Sequence, residues 1–389
     1  MCKDHSLEFL RGAAAFVVLN WHILLGFAPQ AVGLGDRASQ SIKTSPAFVA
    51  FNGRSAVYLF FVLSSYVLVK RYFETRKAED LLFGAVKRLP RLAGPVLVSV
   101  VASCILFKLD FYFFRDASAL TQSGWLAKFG GASRILSPES ANFADAFLQG
   151  AWLTFIDGDS YYDTSLWTMV YEFWGSLLVF ALAPIIFFLQ ARSPLLSWLA
   201  VATGICLAWQ GNFVFGAFAA GLLLYPLLAT GFRPNSWVRS VITAVALGLL
   251  GYAGEAVGVY RPFAVLEVAG LDAQLRQACV AIPASIILVY ATLATDNPPS
   301  WLSGKAVRFL GDLSFPLYLV HVPVICSLGS WTLLATGSAT IGAAAAIIGS
   351  ILAALPLMAF NNWWVLAVGA LFGRFRRGKP IVAATAAEA

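Results

Sequence analysis

Apolar runs long enough to cross a lipid bilayer recur along almost the whole chain and leave room for little else. A hydrocarbon core of ~30 Å takes about 20 apolar residues per helix. Ten candidate runs lie near 12–34, 47–69, 92–109, 166–189, 195–210, 212–230, 237–254, 278–295, 307–328 and 340–371. The fifth and sixth are short and separated only by Gln210, Gly211 and Asn212, which read as a tight helical hairpin. The tenth is over-long and is expected to bend after Pro356. Charge is scarce in proportion: 12% of the 389 residues are charged, about half the usual share of a soluble domain. The 31 Phe and 12 Trp residues suit lipid-facing surfaces and interfacial belts. Disorder, a fibrous repeat and a disulfide-stapled secreted fold are excluded by the same composition. The expected fold is an all-α polytopic integral membrane protein of about ten transmembrane helices. A single domain spans 1–375, with an outer loop at 110–165 and a short tail at 376–389.

The first run starts near the N-terminus, but Asp4 and Glu8 precede it and no small-x-small cleavage site follows. It reads as a retained helix and not a signal peptide. Basic residues favour cytoplasmic connections. With a cytoplasmic N-terminus, inside segments hold 18 basic residues and outside segments 9. Inside is then +10 and outside −2, with Glu172 left within a span, which recovers the net charge of +7. Ten spans with both termini cytoplasmic satisfy the rule. The basic excess therefore sets topology, and no nucleic-acid-binding motif accompanies it. Five cysteines (Cys2, Cys104, Cys206, Cys279, Cys326) are scattered through mostly apolar segments and read as small hydrophobes. No Cys/His spacing suggests a metal. Segment 110–165 mixes seven acids with Trp, Phe and Tyr. It suits either a carbohydrate-facing lid, since aromatic faces stack on sugars and carboxylates accept from hydroxyls, or an ordinary interfacial loop.

Ionisable groups at membrane depth are costly and mark function by default. Arg11 and His22 lie eleven residues apart in the first run, about 20° past three full turns and so on one face, ~16 Å apart along the axis. Glu8 shares that face and can pair with Arg11. His321 falls near the midplane of the ninth run with Tyr318 close by, and Glu172 lies two turns into the fourth, near Trp167 and Tyr171. Ser64 and Ser65 sit in the second run. Each of these could instead be a helix-packing or hydrogen-bonding residue. Two histidines and a glutamate available to one cavity favour a functional site.

Several of these residues belong to ordered motifs. Leu7-Glu8-Phe9-Leu10-Arg11-Gly12-Ala13-Ala14-Ala15 followed by His22 resembles the opening of the membrane acyltransferase-3 family. Phe60-Phe61-Val62-Leu63-Ser64-Ser65-Tyr66 is similar to its second-helix motif, with Ser65 in place of the usual Gly. Lys70-Arg71-Tyr72-Phe73 and Lys87-Arg88-Leu89-Pro90-Arg91-Leu92 resemble its basic cytoplasmic motifs. Leu166-Trp167-Thr168-Met169-Val170-Tyr171-Glu172 and Ser314-Phe315-Pro316-Leu317-Tyr318-Leu319-Val320-His321 resemble its later ones, Thr168 standing where Ser is commoner. The resemblance covers about 5–375, and no appended extracytoplasmic hydrolase-like domain is expected.

The resemblance implies a transmembrane O-acetyltransferase of the bacterial cytoplasmic (inner) membrane. Such an enzyme takes acetyl from cytoplasmic acetyl-CoA, a co-substrate used without metal, to a hydroxyl of an extracytoplasmic glycan. The acceptor would be a glycan or lipid-linked saccharide, such as lipopolysaccharide, exopolysaccharide, peptidoglycan or lipo-oligosaccharide. In this reading Lys70, Arg71, Lys87, Arg88 and Arg91, with Arg76 and Lys77, attract the CoA phosphates. Arg11 guards the channel mouth and His22 is the general base. Glu172 and His321 orient it, position the acceptor or stabilise the oxyanion, while Ser64, Ser65, Trp167 and Tyr318 contact substrate. A route through an acylated serine or His22 stays open. The competing class is a proton-coupled transporter or flippase of a glycan or small solute, although no inverted repeat is evident.

Overall fold

The structure, a computed structural model, describes residues 5–33, 41–295 and 299–377, so most of the tail at 376–389 lies outside the described residues. The described residues are helical and contain no strand. Ten principal helices follow one another. They are α1 His5–Phe27, α2 Gly53–Thr75, α3 Ala78–Lys108, α4 Met169–Arg192, α5 Pro194–Gly211, α6 Phe213–Ala229, α7 Ser236–Leu250, α8 Ala273–Leu293, α9 Lys305–Thr336 and α10 Ala339–Arg377. Among the described residues seven are long and apolar enough to cross a membrane: α1 to α3, α4 with its lead-in from Thr164, and α8 to α10. The expected spans at 195–210, 212–230 and 237–254 exist as helices α5, α6 and α7, but fall below that length.

Boundaries move where local chemistry overrides hydropathy. Helix α1 starts before its apolar run because Arg11 pairs with Glu8 one turn earlier, at 3.4 Å. It stops before Pro29, which opens a separate 3-10 turn. Helix α2 begins at 53 rather than 47, since the Asn52 side chain accepts from the Ser55 N–H and caps it. Helix α3 reaches back to Ala78, with Glu79 and Asp80 in its first turn facing the positive end of the helix dipole. At 31 residues it is ~46 Å long and overruns a bilayer core.

The overrun is where segment 110–165 folds. Of its short helices, Phe143–Leu148 packs on α3, while Phe114–Thr121 and Gly124–Ala127 pack on each other and on α1. Ser103 bonds the Tyr162 carbonyl and the Tyr112 hydroxyl, and Phe107, Tyr112, Phe114 and Phe129 form an aromatic knot. This end of the bundle is opposite the one where α1 starts. Trp21 meets Gly53 across the antiparallel α1–α2 pair, so the α2–α3 link at 75–78 lies at the α1 start. Helix α10 runs through Pro356 as one helix. Its Trp364 donates to the Pro90 carbonyl at 2.8 Å, docking over Gly94, where a Cβ would lie 2.4 Å from the indole.

Candidate active site

The histidines meet because α1 and α9 run parallel and in register. Gly12 faces Leu310, Glu8 faces Gly311, and Phe27 faces Gly329. Glycine at these crossings removes the Cβ that would hold the helices apart. A Cβ on Gly12 would lie 2.3 Å from the Leu310 side chain and 2.9 Å from its carbonyl oxygen. One helical pitch then puts His22 and His321 at the same depth. His22 Nδ1 lies 2.8 Å from His321 Nε2, with the rings within 20° of parallel.

Hydrogen-bond logic assigns the protons. His321 Nδ1 lies 2.7 Å from the Tyr318 carbonyl oxygen, which can only accept, so that nitrogen carries hydrogen. In the neutral ring Nε2 is then a lone pair. His22 Nδ1 must donate to it, which leaves His22 Nε2 without hydrogen, a lone-pair acceptor. His321 is 1% exposed, whereas His22 keeps accessible surface. One histidine is thus sealed inside the bundle and the other is half-buried.

Trp125, absent from the motifs, covers His22. Its ring stacks on the imidazole with centroids 5.1 Å apart and planes 17° apart. Ser123 donates to the Leu25 carbonyl at 2.6 Å and fixes this turn of segment 110–165 on the end of α1. The acidic and aromatic composition of the segment marked it as a lid candidate. Only the fold shows that one of its tryptophans reaches the first helix.

Tyr318 is buried and committed. Its hydroxyl donates to the Ser165 carbonyl at 2.8 Å and pairs with Thr168 Oγ1 at 2.9 Å. Thr168 thus keeps the hydroxyl function of the commoner Ser. Next to it, Ser99 Oγ lies 2.6 Å from the Leu319 carbonyl and 3.0 Å from Asp163 Oδ2. The Ser99 hydroxyl thus stands as donor between two acceptors, the Asp163 carboxyl and the Leu319 carbonyl, and joins α3 to both. Burial pushes the Asp163 carboxyl up to about 7, against the opposing hydrogen bonds from Ser165 and Ser99. Asp163, one of the seven acids of segment 110–165, sits just outside α4 and ties α3 to α9 through Ser99.

A second group gathers around Glu172. Its Oε1 accepts from Ser64 Oγ at 2.8 Å and pairs with the Arg88 guanidinium. Arg88 also donates from Nε to Ser176 Oγ at 3.1 Å. This corrects the expected location of Arg88. It is 7% exposed inside the bundle and not part of an open basic surface, because a carboxylate at that depth needs a counter-charge. Arg91 is exposed yet feels the charges of Arg88, Arg11, Glu172 and Glu8. Three guanidinium groups against two carboxylates leave this charge cluster net positive.

The remaining candidates are dispersed. Arg71 is exposed and paired with Asp80 at 3.0 Å. Lys70 and Lys87 are half-buried, Lys87 over the Phe83 ring at 5.6 Å. Ser65 is fully buried, has no hydrogen-bond partner and faces Gly221. A Cβ on Gly221 would lie 2.7 Å from that of Ser65, so the close approach of α2 rests on the small residue of its partner helix. Trp167 is exposed and stands edge-on to Tyr171, one face away from Thr168 and Glu172.

The arrangement offers a hydrogen-free, oriented nitrogen at His22 Nε2, covered by an indole, in a bundle that also holds a net positive charge cluster. Neither curated proteins nor solved structures give a match to the chain. The acyltransferase-3 family model, described as an acyltransferase domain, matches residues 4–374. With essentially its whole length covered, the chain is a member of the acyltransferase-3 family, a membrane acyltransferase.

Proposed function

We propose that the protein transfers acetyl from acetyl-CoA on the cytoplasmic side to a hydroxyl of a glycan on the other side of a bacterial inner membrane. The observation that carries this reading is the directed pair His22–His321, with His22 Nε2 free of hydrogen. A sugar hydroxyl is a weak nucleophile at neutral pH. As its oxygen attacks the thioester carbonyl, Nε2 takes the proton, and the resulting imidazolium stays hydrogen-bonded through Nδ1 to neutral His321. The tetrahedral intermediate then expels the CoA thiolate, which recovers a proton from His22. General-base help of this kind contributes ~10²–10⁴-fold.

The donor side is supported by the net positive charge cluster. Arg91 and Arg11 line the way in, while Lys70, Lys87 and Arg71 supply positive charge for phosphates around the α2–α3 link. Arg88 serves this surface indirectly, by holding Glu172. The His22→Ala protein, incubated with radiolabelled acetyl-CoA and membranes, should move no label onto glycan and should hydrolyse little donor. Near-normal turnover by folded His22→Ala would remove the base from the scheme. Wild-type protein that moves solute or glycan without labelling it would favour the transporter class.

A further inference from the structure

A recess opens across the α2–α4 contact from the charged group. Ser64 of α2 and Glu172 of α4 form one side of that contact. On the adjoining faces, Tyr58 of α2 and Trp167 and Tyr171 of the α4 entry line a cavity of about 290 Å³. Its rim carries Arg54, Asn212 and Gln274, each at or next to the first turn of a helix. Ligand cavities run from about 300 Å³ upward, so this one suits a single small unit.

Its lining combines three recognition chemistries. Trp167 and Tyr171 stand edge-on, with centroids 6.0 Å apart, and offer apolar ring surface for the C–H face of a sugar. Gln274 carries an amide that both donates and accepts, matching vicinal hydroxyls, while the Asn212 oxygen is engaged by the Val214 N–H at 2.8 Å. Asn212 Nδ2 already donates to the Tyr171 hydroxyl at 3.4 Å, which fixes the wall of the recess. Arg54 is exposed and makes no ion pair among the described residues. Asp272, whose charge with that of Arg54 acts on Tyr58, is engaged as a helix cap, accepting from the Leu275 N–H at 2.8 Å. A free guanidinium beside an aromatic wall selects a carboxylate or phosphate.

We infer that this recess binds an acidic sugar unit of the acceptor, holding the chain while a neighbouring hydroxyl is acylated. The inference rests on the glycan-acceptor reading above. It fits the local geometry, since Trp167 adjoins Thr168, whose hydroxyl meets Tyr318, and the Tyr318 carbonyl orients His321. An anionic phospholipid headgroup shares the same hydroxylated-anion chemistry, so the test separates the two sources.

The experiment measures binding of tri-galacturonate and of neutral maltotriose to the purified full chain in a neutral detergent. Tri-galacturonate should bind more tightly than maltotriose. Arg54→Gln should weaken it by roughly 10- to 100-fold, the weight of one charge-assisted hydrogen bond, and Arg54→Lys by less. Maltotriose affinity should stay as in wild type, which also reports that the variant is folded. A second variant, Gln274→Glu, adds like charge at the rim and should weaken tri-galacturonate as well. Tri-galacturonate binding indifferent to Arg54, or no preference over maltotriose, overturns the assignment. Arg54-dependent retention of phosphatidylglycerol without saccharide binding overturns it in favour of lipid. His22-dependent consumption of labelled acetyl-CoA on the same preparation tests acyl transfer separately, so that reading can fail while the recess still binds the acidic saccharide.

Discussion

At the scale of single residues, the ionisable groups sort by partner rather than by position in a motif. Glu172 carries the charge that sequence reading placed among catalytic groups, yet its contacts are Arg88 and Ser64. Removing one member of a buried ion pair costs about 3–5 kcal/mol, whereas replacing both by apolar groups of similar volume is often near neutral. Glu172→Leu should therefore lower the melting temperature in detergent sharply, and Arg88→Met with Glu172→Leu should recover most of it. A double variant as unstable as the single one would show that the two do not act as a pair. Asp163 makes the opposite kind of prediction. Its carboxyl rises from 3.8 to about 7 on folding. Between those pH values the folded chain keeps a proton that the unfolded chain has released, so stability falls as pH rises from about 4 to 7. A melting-temperature series over that range should show the fall in wild type and a flatter profile in Asp163→Asn. The pairs behind both predictions were not legible in the sequence, because 84 residues separate Arg88 from Glu172 and 64 separate Ser99 from Asp163.

At the scale of elements, small residues set which faces touch and how closely. The motif around Gly12 gave no reason in sequence for its glycine, and the structure supplies one in the Leu310 backbone. Gly12→Leu cannot be absorbed by rotating a flexible side chain alone, since a carbonyl oxygen stands 2.9 Å from the new Cβ. Overpacking of this kind costs about 1–3 kcal/mol and would pry α1 from α9. The expected result is a helical, expressed protein with a lowered melting temperature and severely reduced acyl transfer, read by circular dichroism and donor turnover. Full activity in Gly12→Leu would mean that the His22–His321 distance does not depend on this crossing. Helix existence was legible at all ten apolar runs, because hydropathy reports burial in lipid or protein. Helix ends were not, because Asn52, Pro29 and the Glu8–Arg11 pair act through hydrogen bonds, backbone restriction and charge.

At the scale of the whole molecule, segment 110–165 changes meaning. Read along the chain it is a connection rich in acids; folded, it brings Trp125 onto His22. An indole there restricts water at the imidazole, and excluding water from a reactive acyl donor suppresses hydrolysis. Trp125→Ala should thus raise the share of acetyl-CoA lost to water relative to the share transferred to glycan, measured as free against glycan-bound label. An unchanged ratio would assign Trp125 to packing alone. The sequence by itself determined the solvent, the helical class and the family, since each rests on composition or on residues within one or two turns of each other. Tertiary structure alone decided that two histidines 299 residues apart form one directed pair, that Arg88 turns inward to Glu172, and that Trp125 closes over His22. Hydropathy and motif spacing act along one helix. Register between helices comes from steric fit at glycines, and proton placement from acceptors on other turns and segments, so neither exists until the bundle is packed.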